Sequence, residues 1–328
     1  MTGVSYHDTV NDLQGLNWSE DSPFARLGWF GMLETGAASP LFAMARDGEN
    51  AVALPLRFAD GQLAPLINWY AFTWSPLHTG TALDPALLQV LASALARRSN
   101  RIVLEKLPDD DGAASALASA FRAAGWCVLK EKCDVNHHLV LGGRSYETYL
   151  ADRPGPLRTT LKRKAKKVDT AISTQFDEDD WAGYEAIYAD SWKPEEGDPA
   201  LLRCFAKQES EEGRYRFALA RHDGEPVAAQ FWTVDGDTAY IHKLAHRQSA
   251  QSLSPGTTLT AALMQHVIDV DGVREIDFGT GDDAYKRDWM EAVRRRYRLT
   301  MLRLSAPRNW PVATKSAIRK LVRRESAG

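Results

Sequence analysis

The residues Gln251-Ser252-Leu253-Ser254-Pro255-Gly256-Thr257-Thr258 are the stretch on which the fold turns. Before them runs a strand-like segment, 238–246; after them a helical pattern covers about 257–270. Small side chains let backbone N–H groups approach an anion, and a helix beginning behind them adds partial positive charge. The loop therefore suits a pyrophosphate, or else it is a plain serine-capped turn. It is neither a nucleotide P-loop nor a dinucleotide fingerprint, because GxxxxGK[ST] and GxGxxG are both absent.

Working outward, the second half alternates in a legible order. A strand at 170–176 precedes helices at 179–192 and 200–211. Strands at 215–221, 226–234 and 238–246 follow, with turns at Asp223-Gly224 and Asp235-Gly236. After the loop and its helix come a strand at 275–279, a short helix at 284–293 and a strand at 297–304. The order is β-α-α-β-β-β-α-β-α-β.

The first half alternates too. Asp21-Ser22-Pro23 signals a helix over 24–33, and 41–45 with 51–58 read as a strand pair around Asp47-Gly48. A helix at 82–98 carries Leu87, Leu88, Leu91 and Leu95 on one face. A strand at 101–107, a helix at 113–124 and a β segment at 127–141, broken near Asp134-Val135-Asn136, complete it. Turn-rich residues after Gly142 place the boundary near Ser145.

The 328 residues, 44% hydrophobic and 25% charged, suit a globular protein of two domains. No run of about 18 apolar residues and no basic-then-apolar leader is apparent, which predicts a cytoplasmic protein. Cys127, Cys133 and Cys204 are odd in number and lack CxxC spacing, so neither a disulfide framework nor a metal site is expected. The net charge of −3 hides two basic islands. Residues 158–167 carry six positive charges and no acid, and 305–328 carry six against Glu325.

Two motifs bring a resemblance into view. Gln251 to Gly256 is similar to the [Arg/Gln]-x-x-Gly-x-[Gly/Ala] loop of the GNAT acyltransferase superfamily, with Ser254 in place of the first glycine. Asp277-Phe-Gly-Thr-Gly-Asp-Asp-Ala-Tyr-Lys-Arg-Asp-Trp289 resembles the DFG-x-GD-x-x-YK-x-x-W signature of the cellulose-biosynthesis acetyltransferase-like subfamily, relatives of the Fem peptidyltransferases. The resemblance implies an α/β (α+β) fold of tandem GNAT-like domains, each a mostly antiparallel mixed sheet flanked by helices. Residues 1–145 would be a degenerate copy, 146–304 the catalytic domain and 305–328 a basic amphipathic tail.

It also implies an N-acyltransferase that uses acyl-CoA as co-substrate and no metal. Leu244, His246, Gln251, Leu253, Ser254, Gly256, Thr257 and Thr258 would hold the CoA, and 240–245 would run beside its pantetheine. His242 is placed as a base, or as a packing residue. Tyr285 is the candidate acid to the departing thiolate. Lys286 would hold the acyl carbonyl, CoA or an acidic acceptor, with Asp277 orienting it or helping to take the amine proton; the bland alternative is a strand-to-helix salt bridge. Trp289 reads as a core anchor, and Asp282 and Asp283 as helix caps. His137 and His138 face opposite sides of a strand, which speaks against a shared metal.

For the acceptor, Asn68-Trp-Tyr-Ala-Phe-Thr-Trp74 would by alternation set Trp69 and Ala71 against Tyr70, Phe72 and Trp74, lining an apolar pocket or filling a core. In the tail, Trp310, Val312, Ile318, Leu321 and Val322 are interspersed with Lys315, Arg319, Lys320, Arg323 and Arg324, a pattern suited to the inner face of an anionic membrane, or else to a solvated helix or a disordered tail. The preferred acceptor is then a long-chain lipid amine such as a sphingoid base, giving a ceramide-type product. The alternatives are a Fem-like transferase using aminoacyl-tRNA on a cell-envelope precursor, the one setting in which nucleic acid would be a partner, or an acetyltransferase or non-catalytic scaffold of exopolysaccharide synthesis.

Overall fold

The computed structural model describes residues 2–36 and 39–315, and the chain separates into two compact units. One comprises Met1–Asp134 and the chain from Arg295 onward; the other is Val135–Arg294. Ile318 through Arg324 of the expected tail lie outside the described residues.

The first unit contains β1 (Gly3–His7), α1 (Leu27–Gly36), β2 (Pro40–Asp47), β3 (Asn50–Ala59), β4 (Gln62–Pro65), β5 (Leu77–His78), α2 (Pro85–Leu95), β6 (Arg101–Leu107) and α3 (Ala113–Ala123). It ends in β7 (Cys127–Val140), which continues into the second unit. Local chemistry explains α2: Asp84 accepts from the amides of Ala86 and Leu87, Pro85 starts the helix, and the predicted leucine face is buried. The strands β1 and β4 have no forerunner in the sequence pattern.

The second unit contains α4 (Tyr146–Ala151), α5 (Gly155–Lys164), β8 (Asp169–Ser173), α6 (Glu178–Ala189), α7 (Pro199–Glu211), β9 (Tyr215–His222), β10 (Glu225–Asp235), β11 (Thr238–His246), α8 (Pro255–Asp269), β12 (Glu275–Thr280) and α9 (Ala284–Trp289). The chain then enters β13 (Ala292–Leu302), most of which belongs to the first unit. Asp177 caps α6 by accepting from the amides of Asp179 and Asp180, and Asp198 caps α7 through Leu201. The core gathers Trp232, Leu259, Leu263, Met264, Ile276 and Phe278 with Trp289.

Each unit follows the same sheet plan. In the first, the order is β1-β2-β3-β4-β6-β13, antiparallel except for the parallel β4–β6 contact. In the second, β8-β9-β10-β11-β12-β7 is antiparallel except for β11–β12. The division falls at 134/135 rather than near Ser145, because β7 runs unbroken through Asp134-Val135-Asn136 and only its second half pairs with β12. Similarly the last strand, expected in the catalytic half, pairs with β6 of the first unit. A composition shift marks a loop, and here the chain changes unit inside a strand.

Candidate active site

The loop 251–254 closes a 3₁₀ turn, Gln248–Leu253, and Ser254 takes a left-handed conformation (φ 54°) from which α8 departs. The Ser254 side chain makes no capping hydrogen bond. Pro255 has no N–H, so Gly256 and Thr257 carry the first amides of the helix, which an anion can satisfy. Behind them, the carbonyl of Gly256 accepts from Gln230 Nε2 at 2.9 Å and from Thr260 Oγ1 at 3.0 Å. Gly256 lies under His246 and Leu244, whose Cδ2 atoms stand 3.6 and 4.0 Å from where a Cβ would be. Thr258 is buried and its hydroxyl bonds back to the Ser254 carbonyl at 3.4 Å; Leu253 packs on the core and Gln251 is exposed.

Positive charge is brought to this helix start by α5. Leu157 and Leu161 are buried, while Arg158, Lys162, Arg163, Lys166 and Lys167 are exposed. Lys164 reaches the loop itself, donating to the Ser252 carbonyl at 2.9 Å and to Ser254 Oγ at 3.1 Å.

Beside the loop, β11 parts from its neighbour. Its parallel pairing with β12 covers Thr238–Tyr240 against Glu275–Asp277, whereas β11 continues to His246. Backbone groups beyond Tyr240 thus have no rung to β12 among the described residues. On the other side a bulge interrupts the register with β10, where Phe231 faces Lys243 and Trp232 faces Ile241. The bulge leaves His242 and Lys243 on one face of the sheet, toward α6 and α7, and Leu244 and His246 on the other, toward α8.

The expected catalytic residues have different surroundings. His242 lies against the rings of Phe205 and Phe231, with Nε2 2.8 Å from Thr233 Oγ1. Burial pushes its pKa down to about 3, aided by Lys243, so the ring is a packed neutral imidazole of low basicity. Asp277 does not meet Lys286: its Oδ1 accepts from Asn136 Nδ2 and the Gly279 amide, both at 2.7 Å, and its Oδ2 from Arg294 at 2.8 Å. A carboxylate bound on both oxygens holds strands together and is poorly placed to take a proton. Lys286, 4% exposed, donates to the carbonyls of Thr280 at 2.5 Å and of Gly279 and Gly281 at 3.5 Å, with Asp283 Oδ2 at 3.8 Å. It fastens the end of β12.

Tyr285, on α9, is 42% exposed, and partial burial raises its hydroxyl above the ordinary phenol range. It keeps its proton at neutral pH. Trp289 is buried as expected, and its carbonyl accepts from Tyr149 at 2.7 Å. Asp283 stands at the start of α9 without a side-chain capping bond, and Asp282 instead meets His137 at 2.9 Å and Arg287 at 2.7 Å. His138 turns to Glu275 at 3.6 Å, so the two histidines are separately engaged.

Residues 155–287 match the family model described as the acetyltransferase (GNAT) domain. The matched stretch lies within the second unit and runs from the start of α5 into α9. Among solved structures the chain resembles FemX, with a TM-score of 0.61 at 10% identity over 87% of this chain and 93% of that one. It also resembles the C-terminal domain of a putative lysylphosphatidylglycerol synthetase from Agrobacterium fabrum, with a TM-score of 0.58 at 17% identity over 86% and 87%. A tandem GNAT protein from the clavulanic acid biosynthesis pathway gives 0.50 at 14% identity over 91% and 98%. At such identities the likeness is one of fold. No curated protein matches the chain by sequence.

The first unit repeats the sheet plan of the second. Between β4 and α2 it carries the aromatic run, which is irregular rather than a strand. Trp74 is buried and donates to the Pro55 carbonyl at 2.9 Å, Tyr70 is buried, Phe72 meets Phe24 at 4.9 Å, and Trp69 is 56% exposed. The run fills that unit's own core, and the alternation expected of it fails because its backbone is not extended. In the GNAT domain, sequence reasoning missed Lys164 as a loop residue and missed Lys243 and Glu196 altogether. A lysine inside the apolar alternation of a central strand was the available signal.

Proposed function

We propose that the GNAT domain moves an acyl group from acyl-CoA to a primary amine. The observation that carries this reading is the coincidence, at one end of β11, of first-turn amides on α8, the Lys164 ammonium and a strand edge released from β12. Acyl-CoA supplies the acyl group as a thioester. The chain's part is to bind the pyrophosphate at Gly256 and Thr257 with Lys164, to align the pantetheine amides along 241–246, and to deliver a proton from Tyr285 to the leaving sulfur.

The preferred acceptor is a long-chain lipid amine of the sphingoid type. A lysylphosphatidylglycerol synthetase domain among the structural relatives supports work at a cell-envelope lipid. Among the described residues no helix is long and apolar enough to cross a membrane, so lipid would be met at a surface, with the basic tail as the contact. FemX supports, with equal weight, an aminoacyl-tRNA donor gripped by the exposed cations of α5.

Titrating the full chain with acyl-CoAs of graded length and with aminoacyl-tRNA separates the two. Acyl-CoA should bind, and Lys164→Glu and Gly256→Val should each weaken it by about tenfold or more, the first by reversing a charge at the phosphates, the second by crowding His246 and Leu244. Unchanged affinity in both folded variants would move the donor site elsewhere.

A further inference from the structure

The face of β11 opposite α8 borders a second feature. A pocket of ≈ 820 Å³ opens between α6, the 193–196 connection and α7, a volume suited to a small ligand or one end of a larger one. Its wall carries the rings of Trp181, Tyr184 and Tyr188, with the charged side chains of Lys193, Glu195 and Arg203 beside them. Glu196 also lines it. The carboxylate is fixed: Oε1 accepts from Lys243 Nζ at 2.6 Å and Oε2 from the Tyr184 hydroxyl at 3.0 Å. Lys243 in turn sits 5.1 Å over the Tyr188 ring, at the bulge where β11 has left β12. One end of the pocket is thereby joined to the strand that would present the thioester.

We propose that this pocket takes the acceptor as a primary ammonium on an apolar carbon skeleton, the ammonium at Glu196 and the skeleton against Trp181, Tyr184 and Tyr188. The assignment rests on the acyltransferase reading for its role and on the pocket alone for its chemistry. Rings favour an apolar body and a cation near their faces. A carboxylate held by two donors is preorganised, so little ordering remains to be done when an ammonium arrives. Of the cations nearby, Arg203 is bound to Glu185 and Glu178 and Lys243 to Glu196, and burial lowers the pKa of Lys193, which also lines the pocket. Burial, with Lys193 adding to it, brings the Lys243 ammonium down to about 8 although Glu196 opposes this.

The test is calorimetric titration of the full chain with octylamine, 1-octanol and octanoate, and with sphinganine carried in neutral vesicles, each compared with Ala200→Trp and Glu196→Gln. Ala200 is exposed on the pocket's rim, so the indole obstructs the mouth without entering the core; Ala189→Trp, exposed on the opposite side, serves if the first variant melts early. Octylamine should bind, 1-octanol and octanoate about tenfold or more weaker, and both variants should weaken octylamine by about tenfold or more, Glu196→Gln through loss of a charge-assisted hydrogen bond and Ala200→Trp through obstruction of the mouth. If sphinganine is also lost in Ala200→Trp, the amine comes from a lipid; if only octylamine is, it is a small soluble one. Equal octylamine binding in wild type and both tryptophan variants, or octanol binding as tightly as octylamine, would overturn the assignment. Acyl-CoA is titrated separately, so that failure of the donor site and failure of the amine pocket give different results.

Discussion

Burial against Phe205 and Phe231 pushes the His242 imidazole from its ordinary pKa of 6.5 down to about 3 in the folded chain. Between these values the unfolded chain holds a proton that the folded chain does not, so stability rises with pH across the window. The contribution is intact above about 6.5 and is lost as pH falls toward about 3. His242→Gln should flatten the acid limb of a melting-temperature profile between these limits; a variant limb parallel to wild type would assign that limb to other groups. Tyr285 and Lys286 are adjacent yet should behave differently. Tyr285→Phe should lower turnover by about 10²-fold with an unchanged melt, since only a proton donor is removed. Lys286→Met leaves three carbonyls short of a donor and should cost about 1–3 kcal/mol in denaturant unfolding, with acyl-CoA affinity kept in the folded fraction.

At the scale of elements, β12 shows why some of this was readable and some was not. The order β8-α6-α7-β9-β10-β11-α8-β12-α9 follows from periodicity and turn residues, and every member appears near its expected place. α9, however, stops at Trp289 because Met290 is already extended, and β13 starts at Ala292, earlier than apolar patterning suggests in a run as charged as Ala292–Arg298. The roles expected of Asp277 and Lys286 followed from their proximity in one motif. Their partners come from elsewhere: Asn136 lies on β7 and Arg294 at the start of β13, separations that no local pattern can announce. Lys164 was visible only as one of six cations, and its distinction is the length of α5, which ends beside Ser254. The Asp277 arrangement makes a sharp prediction. Arg294 also pairs with Glu275 and the Asn136 side-chain oxygen, but Asp277→Ala strands the buried Asn136 amide and removes one carboxylate partner of the guanidinium, and should destabilise the protein by about 3–5 kcal/mol. A melt within a degree of wild type would show that Glu275 suffices.

Across the whole molecule, charge has been sorted rather than neutralised: the net charge is −3, yet two short stretches are strongly basic. One of them, α5 with the residues just after it, keeps its cations on the surface and Lys164 on the loop. Such a patch raises the local concentration of an anionic ligand, and salt screens it over a Debye length of about 8 Å at physiological ionic strength. The other, from Ser305 onward, carries its charge on a different segment and interleaves it with apolar residues. The two islands should therefore separate under salt. Lys162→Gln with Lys166→Gln should weaken acyl-CoA binding most at low salt and flatten its salt dependence, because exposed charges act at a distance and are screened first. Removing 308–328 should leave that dependence unchanged while reducing co-sedimentation with anionic vesicles, at about 1 kcal/mol per basic residue lost from the surface. If instead the truncation changes acyl-CoA binding and the α5 variant changes vesicle binding, the islands have exchanged roles, and α5 is the membrane contact.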